Sequence, residues 1–213
     1  MLFPISQNGD VLTGTLGENY KITIAVGATV TLRNAYIAPN DSTAGAGITL
    51  SGDATILLEG ANTVKGGYGI FPGIFVPENT TLTIDGDGSL TASGQYNASG
   101  IGGGTQMAAG NITINGGTIT ANGGSGGAGI GSGYSDSCGN ITITGGTVNA
   151  TGENGAAGIG SGYWGNCGNI TIANTVTSVK ATKGEEAPNS IGAGAEGSCG
   201  TVTIEDGANV TQN

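Results

Sequence analysis

Histidine is absent from this chain, arginine occurs once, at Arg33, and five basic residues face fifteen acidic ones. The net charge of −10 and the pI near 4.1 disfavour phosphate backbones and anionic membranes as partners, because such surfaces are bound by clustered cations. Nucleic acid is therefore excluded. No apolar run reaches the length of a bilayer span, and the opening residues, MLFPISQNGD, carry neither a basic n-region nor an apolar h-region. Membrane insertion is not expected. Three cysteines, an odd number, cannot all pair within one chain and define no disulfide framework. Charged residues make up only 9% and aromatics 5%. A chain so poor in both, and rich in Thr, Asn and Gly, has the composition of secreted bacterial surface proteins. It reads as an excised piece of a mature extracellular protein, with neighbouring domains on a larger chain.

What the chain does have is glycine, 45 of 213 residues, with only five prolines and no three-residue period. That combination fits neither a triple helix nor a proline-rich linker. The glycines punctuate a repeat. A Thr followed by an apolar residue recurs at Thr23-Ile24, Thr55-Ile56, Thr83-Ile84, Thr113-Ile114, Thr142-Ile143, Thr171-Ile172 and Thr203-Ile204, at spacings of 32, 28, 30, 29, 29 and 32 residues. These markers define seven units. Within a unit, three short extended segments alternate apolar with small polar residues, as in residues 111–114 (NITI), 118–121 (TITA) and 128–131 (AGIG). No helical stripe is present.

A unit of this size cannot bury its apolar side alone, whereas stacking units so that equivalent strands pair in parallel gives every strand a neighbour. The expected fold is all-β: a single-stranded right-handed parallel β-helix, or β-solenoid, of about seven three-strand coils, its hand set by the rule for parallel crossovers. At the parallel strand spacing the rod would be about 30 Å long. Ile112, Ile141, Ile170 and Val202, with Ile114, Ile143, Ile172 and Ile204, form the expected inward rows of the first strand. Ile101, Ile130, Ile159 and Ile191 form that of the third. Outward on the first strand stand Asn111, Asn140, Asn169 and Thr201 beside the marker threonines. Thr29/Thr31, Ser89/Thr91, Thr118/Thr120 and Thr147/Asn149 are assigned to the outside of the second strand.

The first third is less regular. Residues 1–20 read as an N-terminal cap or leading coil, and residues 21–213 as one continuous repeat domain. An insertion lies between Ala38 and Gly47, and residues 68–78 (YGIFPGIFVPE) are of the bulky kind that covers solenoid ends.

The series GIGGG at residues 100–104, AGIGSG at 128–133 and 157–162, and GNITINGGTITANGG at 110–124 resembles the glycine-rich repeats of large bacterial surface proteins, often labelled carbohydrate-binding domains. The likeness extends from about Ala44 to Val210. It implies a secreted or surface-attached setting and a glycan-binding or adhesive role. A clostridial family of calcium-containing β-helices that binds cellulose and acidic sugars is only loosely similar. Its carboxylate-rich repeat has no counterpart in this chain, so no metal site is carried across and no cofactor is expected.

Candidate residues divide by chemistry. Polysaccharide cleavage on such a fold needs a base near clustered acids, or two opposed carboxylates. Arg33 stands alone, the four lysines show no repeated pairing with acids, and the one close carboxylate pair, Asp85 and Asp87, lies in Asp-Gly turn chemistry. A non-enzyme is expected. Tyr134 and Tyr163 hold the same repeat position 29 residues apart, with Trp164 following and Thr105 and Ala195 as their equivalents in flanking coils. Stacked at a loop corner they would form a small flat platform for sugar faces, with Asn166, Asp136 and Gln106 as polar neighbours. Tyr96, in the turn before Ser99-Gly100, is a weaker member of the set, and the bland alternative is an aromatic stack that shields a turn. Cys138, Cys167 and Cys199 precede the glycine of each GNITI-like strand, and Ala109 fills that place one coil earlier. This exchange fits a small buried position rather than a ligand or nucleophile.

The function expected is thus a non-catalytic extracellular module that binds a polysaccharide or a host or plant glycan. The alternatives are a structural stalk or adhesin segment with protein partners and, as minority readings, an ice-binding face built on the threonine rows or a phage tail-spike module.

Overall fold

Alternation decides the strands. In the strand Asn111–Ile114 the isoleucines are fully buried while Asn111 and Thr113 stay partly exposed, and the same in-out pattern recurs in Thr81–Gly86, Ile141–Ile143 and Ile170–Ile172. The structure, a computed structural model, describes residues 5–16, 20–40 and 42–213. Among the described residues there is no helix, and all named strand pairs are parallel. The fold is the β-solenoid of about seven coils that the repeat implies.

Three stacked faces enclose the core. Face one comprises the first half of Thr29–Ile37, then Ala54–Glu59, Thr81–Gly86, Asn111–Ile114, Ile141–Ile143, Ile170–Ile172 and Val202–Ile204. Face two begins with the second half of Thr29–Ile37. It continues through Ala61–Lys65, Ser89–Ser93, Thr118–Ser125, Thr147–Glu153, Ser178–Thr182 and Val210–Gln212. Face three stacks Ile5–Ser6, Ile22–Ile24, Ile48–Leu50, Ile74–Phe75, Ile101–Gly102, Ile130–Gly131, Ile159–Gly160 and Ile191–Gly192. A short fourth sheet joins Ser137–Cys138, Asn166–Cys167 and Ser198–Cys199. Of residues 1–20, the described segments Ile5–Ser6 and Val11–Leu16 pair in parallel with Ile22–Ile24 and Thr29–Ile37. Residues 1–4 and 17–19 lie outside the described residues.

The expected inward rows are in place. Ile112, Ile141 and Ile170, Ile114, Ile143 and Ile172, and Ile101, Ile130 and Ile159 are all fully buried. Val202 and Ile204 are more open because their strand is paired on one side only.

Two register assignments are corrected. Thr23-Ile24 belongs to face three, where it pairs with Thr49-Leu50, and the first member of the face-one column is Thr29-Val30, in register with Thr55-Ile56. For the same reason Thr29 and Thr31 do not stack above Ser89 and Thr91. The face-two column above Thr91 runs back through Thr63 and Tyr36 to Thr15. Both mistakes share a cause: a Thr-apolar dipeptide looks alike in any alternating strand, and only pairing fixes which face it occupies. Residues 68–78 do not cover an end. They run within a coil, where Ile74 and Val76 are fully buried and Ile74–Phe75 pairs on both sides.

Polar ladders hold the corners. Asn34, with φ of 51°, turns the chain from face one to face two, and its Oδ1 accepts the Ala61 N–H at 3.0 Å. Buried Asn62 accepts the Ala35 N–H and donates to the carbonyls of Glu59 and Ser89. At the start of face one, Asn111, Asn140 and Asn169 each accept, through Oδ1 at 2.8 Å, the backbone N–H of the next residue in the column, Asn140, Asn169 and Thr201. The preceding glycine leaves room for this ladder, since a Cβ at Gly168 would stand 2.6 Å from Asn140 Oδ1.

Candidate functional site

After face three, each of the later coils makes a tight turn with one residue in the left-handed region. Gln106, Ser135, Trp164 and Glu196 occupy this position in successive coils, with φ between 54° and 59°. The turns stack: Ser135 N–H donates to the Tyr163 carbonyl and Trp164 N–H to that of Ala195, each at 2.8 Å. A left-handed conformation is uncommon for any non-glycine residue and an outlier for a bulky one, costing on the order of 1–3 kcal/mol. Trp164 adopts it while remaining 53% exposed. Core packing therefore does not explain a tryptophan there.

The side chain instead joins an aromatic cluster. The Tyr134 and Tyr163 rings stack within 4° of parallel at 5.7 Å between centroids, and Trp164 lies 6.0 Å and 5.6 Å from them, tilted by 38° and 36°. The cluster is thus a slanted pair with an inclined third ring rather than a flat platform. The physical reason is the turn: Trp164 follows Tyr163 directly, so the backbone reverses between them and the indole cannot extend the tyrosine column.

Beside the tyrosines lies a shallow groove of about 230 Å3, whose polar lining comes from Asn97, Ser125, Asn154 and Glu186. Asn154 Nδ2 donates to Ser125 Oγ at 2.9 Å. The polar residues expected from sequence do not line this groove. Asn166 Oδ1 accepts from the Ser198 hydroxyl at 2.6 Å, and Asp136 Oδ1 accepts the Ser137 N–H at 2.8 Å. Gln106 occupies the Trp164 turn position two coils earlier. Sequence reasoning gave Tyr96 only as a weaker member of the aromatic set and missed Ser125 and Asn154, although each of the three stands five residues before a face-three isoleucine, Ile101, Ile130 or Ile159. Carrying the repeat alignment into that loop would have found them.

The cysteines form a column in the fourth sheet, with Cys138 paired to Cys167 and Cys167 to Cys199. All three are free thiols. Cys138 and Cys167 are 7% and 8% exposed, close to the 3% of Ala109 in the equivalent place. A hydrogen bond with Cys138, reinforced by burial, drives the Cys167 thiol far above its ordinary pKa, and burial pushes Cys199 up to about 12. Among the described residues no three His, Cys, Asp or Glu side chains are grouped to hold a metal ion. Asp85 Oδ1 accepts the Gly86 N–H, the ordinary chemistry of an Asp-Gly turn.

Threonine forms one unbroken file on face one: Thr29, Thr55, Thr83, Thr113, Thr142, Thr171 and Thr203 are in mutual register. On face two the corresponding file runs Thr91, Thr120, Asn149, Lys180 and is interrupted. The regular Thr array is therefore one residue wide.

The stacked coils and their turn column place the chain in the class of parallel β-solenoid repeat proteins. In agreement, a family model described as a beta helix repeat matches residues 82–105, 112–134 and 141–163. The three matches end at Thr105, Tyr134 and Tyr163, the same position of the same turn, just ahead of the left-handed residue. Neither the curated proteins nor the solved structures contain a match to the chain.

Proposed function

We propose that this chain is a non-catalytic, extracellular glycan-binding module of a bacterial surface or secreted protein, and that Tyr134, Tyr163 and Trp164 are its contact residues. The observation that carries the reading is Trp164: a half-exposed tryptophan in a left-handed turn, packed on two tyrosines beside a polar groove. Local backbone energy opposes that residue, and a sugar ring is the ligand whose apolar C–H face and hydroxyl rim suit an aromatic cluster edged by Asn and Ser. Trp164 is the only tryptophan, so its fluorescence reports the site directly. The test is a polysaccharide pull-down and glycan array followed by titration of the hits, by fluorescence for the native chain and by calorimetry for native chain and variant alike. The Tyr163→Ala/Trp164→Ala double substitution is expected to weaken binding at least about tenfold, or ~1.4 kcal/mol. Absence of any glycan ligand, or affinity unchanged in the double variant, removes the proposal.

A structural stalk is the second reading, and the continuous ladders favour it: among the described residues no buried side-chain N or O atom lacks a partner. It predicts a stable rod that binds no glycan. Ice binding predicts thermal hysteresis from the face-one threonine file.

A further inference from the structure

The groove beside the tyrosines shares a lining residue with a second hollow. Tyr96, Ser125 and Asn154 hold the same sequence position in three successive coils; a register shift pairs the Ser125 backbone with Glu153, and Asn154 reaches Ser125 through its side chain. The second hollow, of about 250 Å3, is lined by Gln95, Tyr96, Gly124 and Glu153 together with Ser125. Ser125 lines both hollows. Its small side chain is the saddle they share, with Tyr96, 72% exposed, lining one hollow and Asn154 the other. Each hollow alone is smaller than the roughly 300 Å3 at which ligand pockets begin, and joined they exceed it.

We propose that the two hollows form one trough that binds an oligosaccharide of at least two rings, lying across Ser125 with one ring against Tyr96 and the next against the Tyr134–Tyr163 pair. The proposal rests on the glycan-binding reading and specifies its ligand class. Glu153 lines one hollow and Glu186 the other, and neither hollow has a Lys or Arg in its lining. In a chain of net charge −10, uronate or sulfated sugars are repelled at both subsites, whereas neutral hydroxyls find acceptors and an amino sugar gains attraction. The ligand is therefore a neutral or aminated oligosaccharide. The interval between the subsites is set by the fold, because Tyr96 and Tyr134 stand on successive coils.

The test is isothermal titration calorimetry of the whole chain, which needs no tryptophan, with glucan, mannan, xylan, chitosan and galacturonan series, each from monosaccharide to pentasaccharide. In at least one neutral or amino series, affinity is expected to rise tenfold or more from one ring to three, with no binding of oligogalacturonate. Ser125→Trp fills the saddle and should abolish the gain with length. Tyr96→Ala, at an exposed ring whose loss spares the core, should weaken trisaccharides several-fold more than monosaccharides. Affinity independent of length, or unaltered by both variants yet lost in Trp164→Ala, overturns the trough and leaves the aromatic site standing. Preference for oligogalacturonate overturns the charge selectivity. Failure of every series to bind overturns the trough together with the reading on which it rests.

Discussion

The ring of Tyr163 lies so close over Gly155 that a methyl group on that glycine would stand 2.0 Å from Tyr163 Cδ2. The equivalent distance from Gly126 to Tyr134 Cδ2 is 3.1 Å. Both glycines have positive φ, 84° and 75°, so alanine is strained at either place, but the Tyr134 ring need give only slightly whereas the Tyr163 ring must leave its position. Gly155→Ala is therefore expected to lower stability by more than Gly126→Ala, on the order of 1–3 kcal/mol. Thermal unfolding measures the difference, and only the first substitution should shift Trp164 emission.

The isoleucine rows predict a gradient along the rod. Ile143 is fully buried between Ile114 and Ile172, whereas Ile204 packs against the core from one side only. Ile143→Ala should cost about 2–5 kcal/mol, and Ile204→Ala distinctly less. Equal losses in denaturant unfolding would contradict the end-to-middle difference.

The asparagine ladder is exposed, and its worth should be correspondingly small. Asn140→Ala removes the acceptor of the Asn169 N–H and frees that donor to bond water instead, for an expected loss of about 1 kcal/mol. Amide exchange at Asn169 is the sensitive measurement: it should quicken while the amide of Asn140, still bonded to Asn111, does not.

The thiol column predicts an alkaline weakness. Burial pushes the Cys199 thiol up to about 12, above an unfolded value of about 8.5, so the folded state holds the proton more tightly. The associated stability is complete below the unfolded value and declines as pH rises toward 12. Cys199→Ala should flatten that decline in unfolding midpoints. Native protein at pH 8 should react slowly with iodoacetamide and denatured protein rapidly.

Much of this could be read from residues alone, and the exceptions share a physical basis. Ile112, Ile141 and Ile170 announce their burial through alternation at constant spacing, and the Ala109-for-Cys138 exchange reveals a small interior position. Thr23-Ile24 misleads because alternation is local while register is not: it depends on loop lengths in the irregular first coils. Tyr134 and Tyr163 declare themselves by recurring at one turn position. The tilt of Trp164 and the saddle at Ser125 do not, because both depend on backbone torsions and on side chains that meet across coils.

The turn column Gln106, Ser135, Trp164, Glu196 carries four unlike side chains on one repeated backbone geometry. Such a column separates display from folding: each coil contributes a single outward group at a fixed pitch of about 4.8 Å, and exchanging that group leaves the interior untouched. New specificity on this scaffold would then require neither a new loop nor a new cavity. An aromatic residue introduced at Ser135 would lengthen the contact surface by one step along the axis, as a ruler is extended by one division.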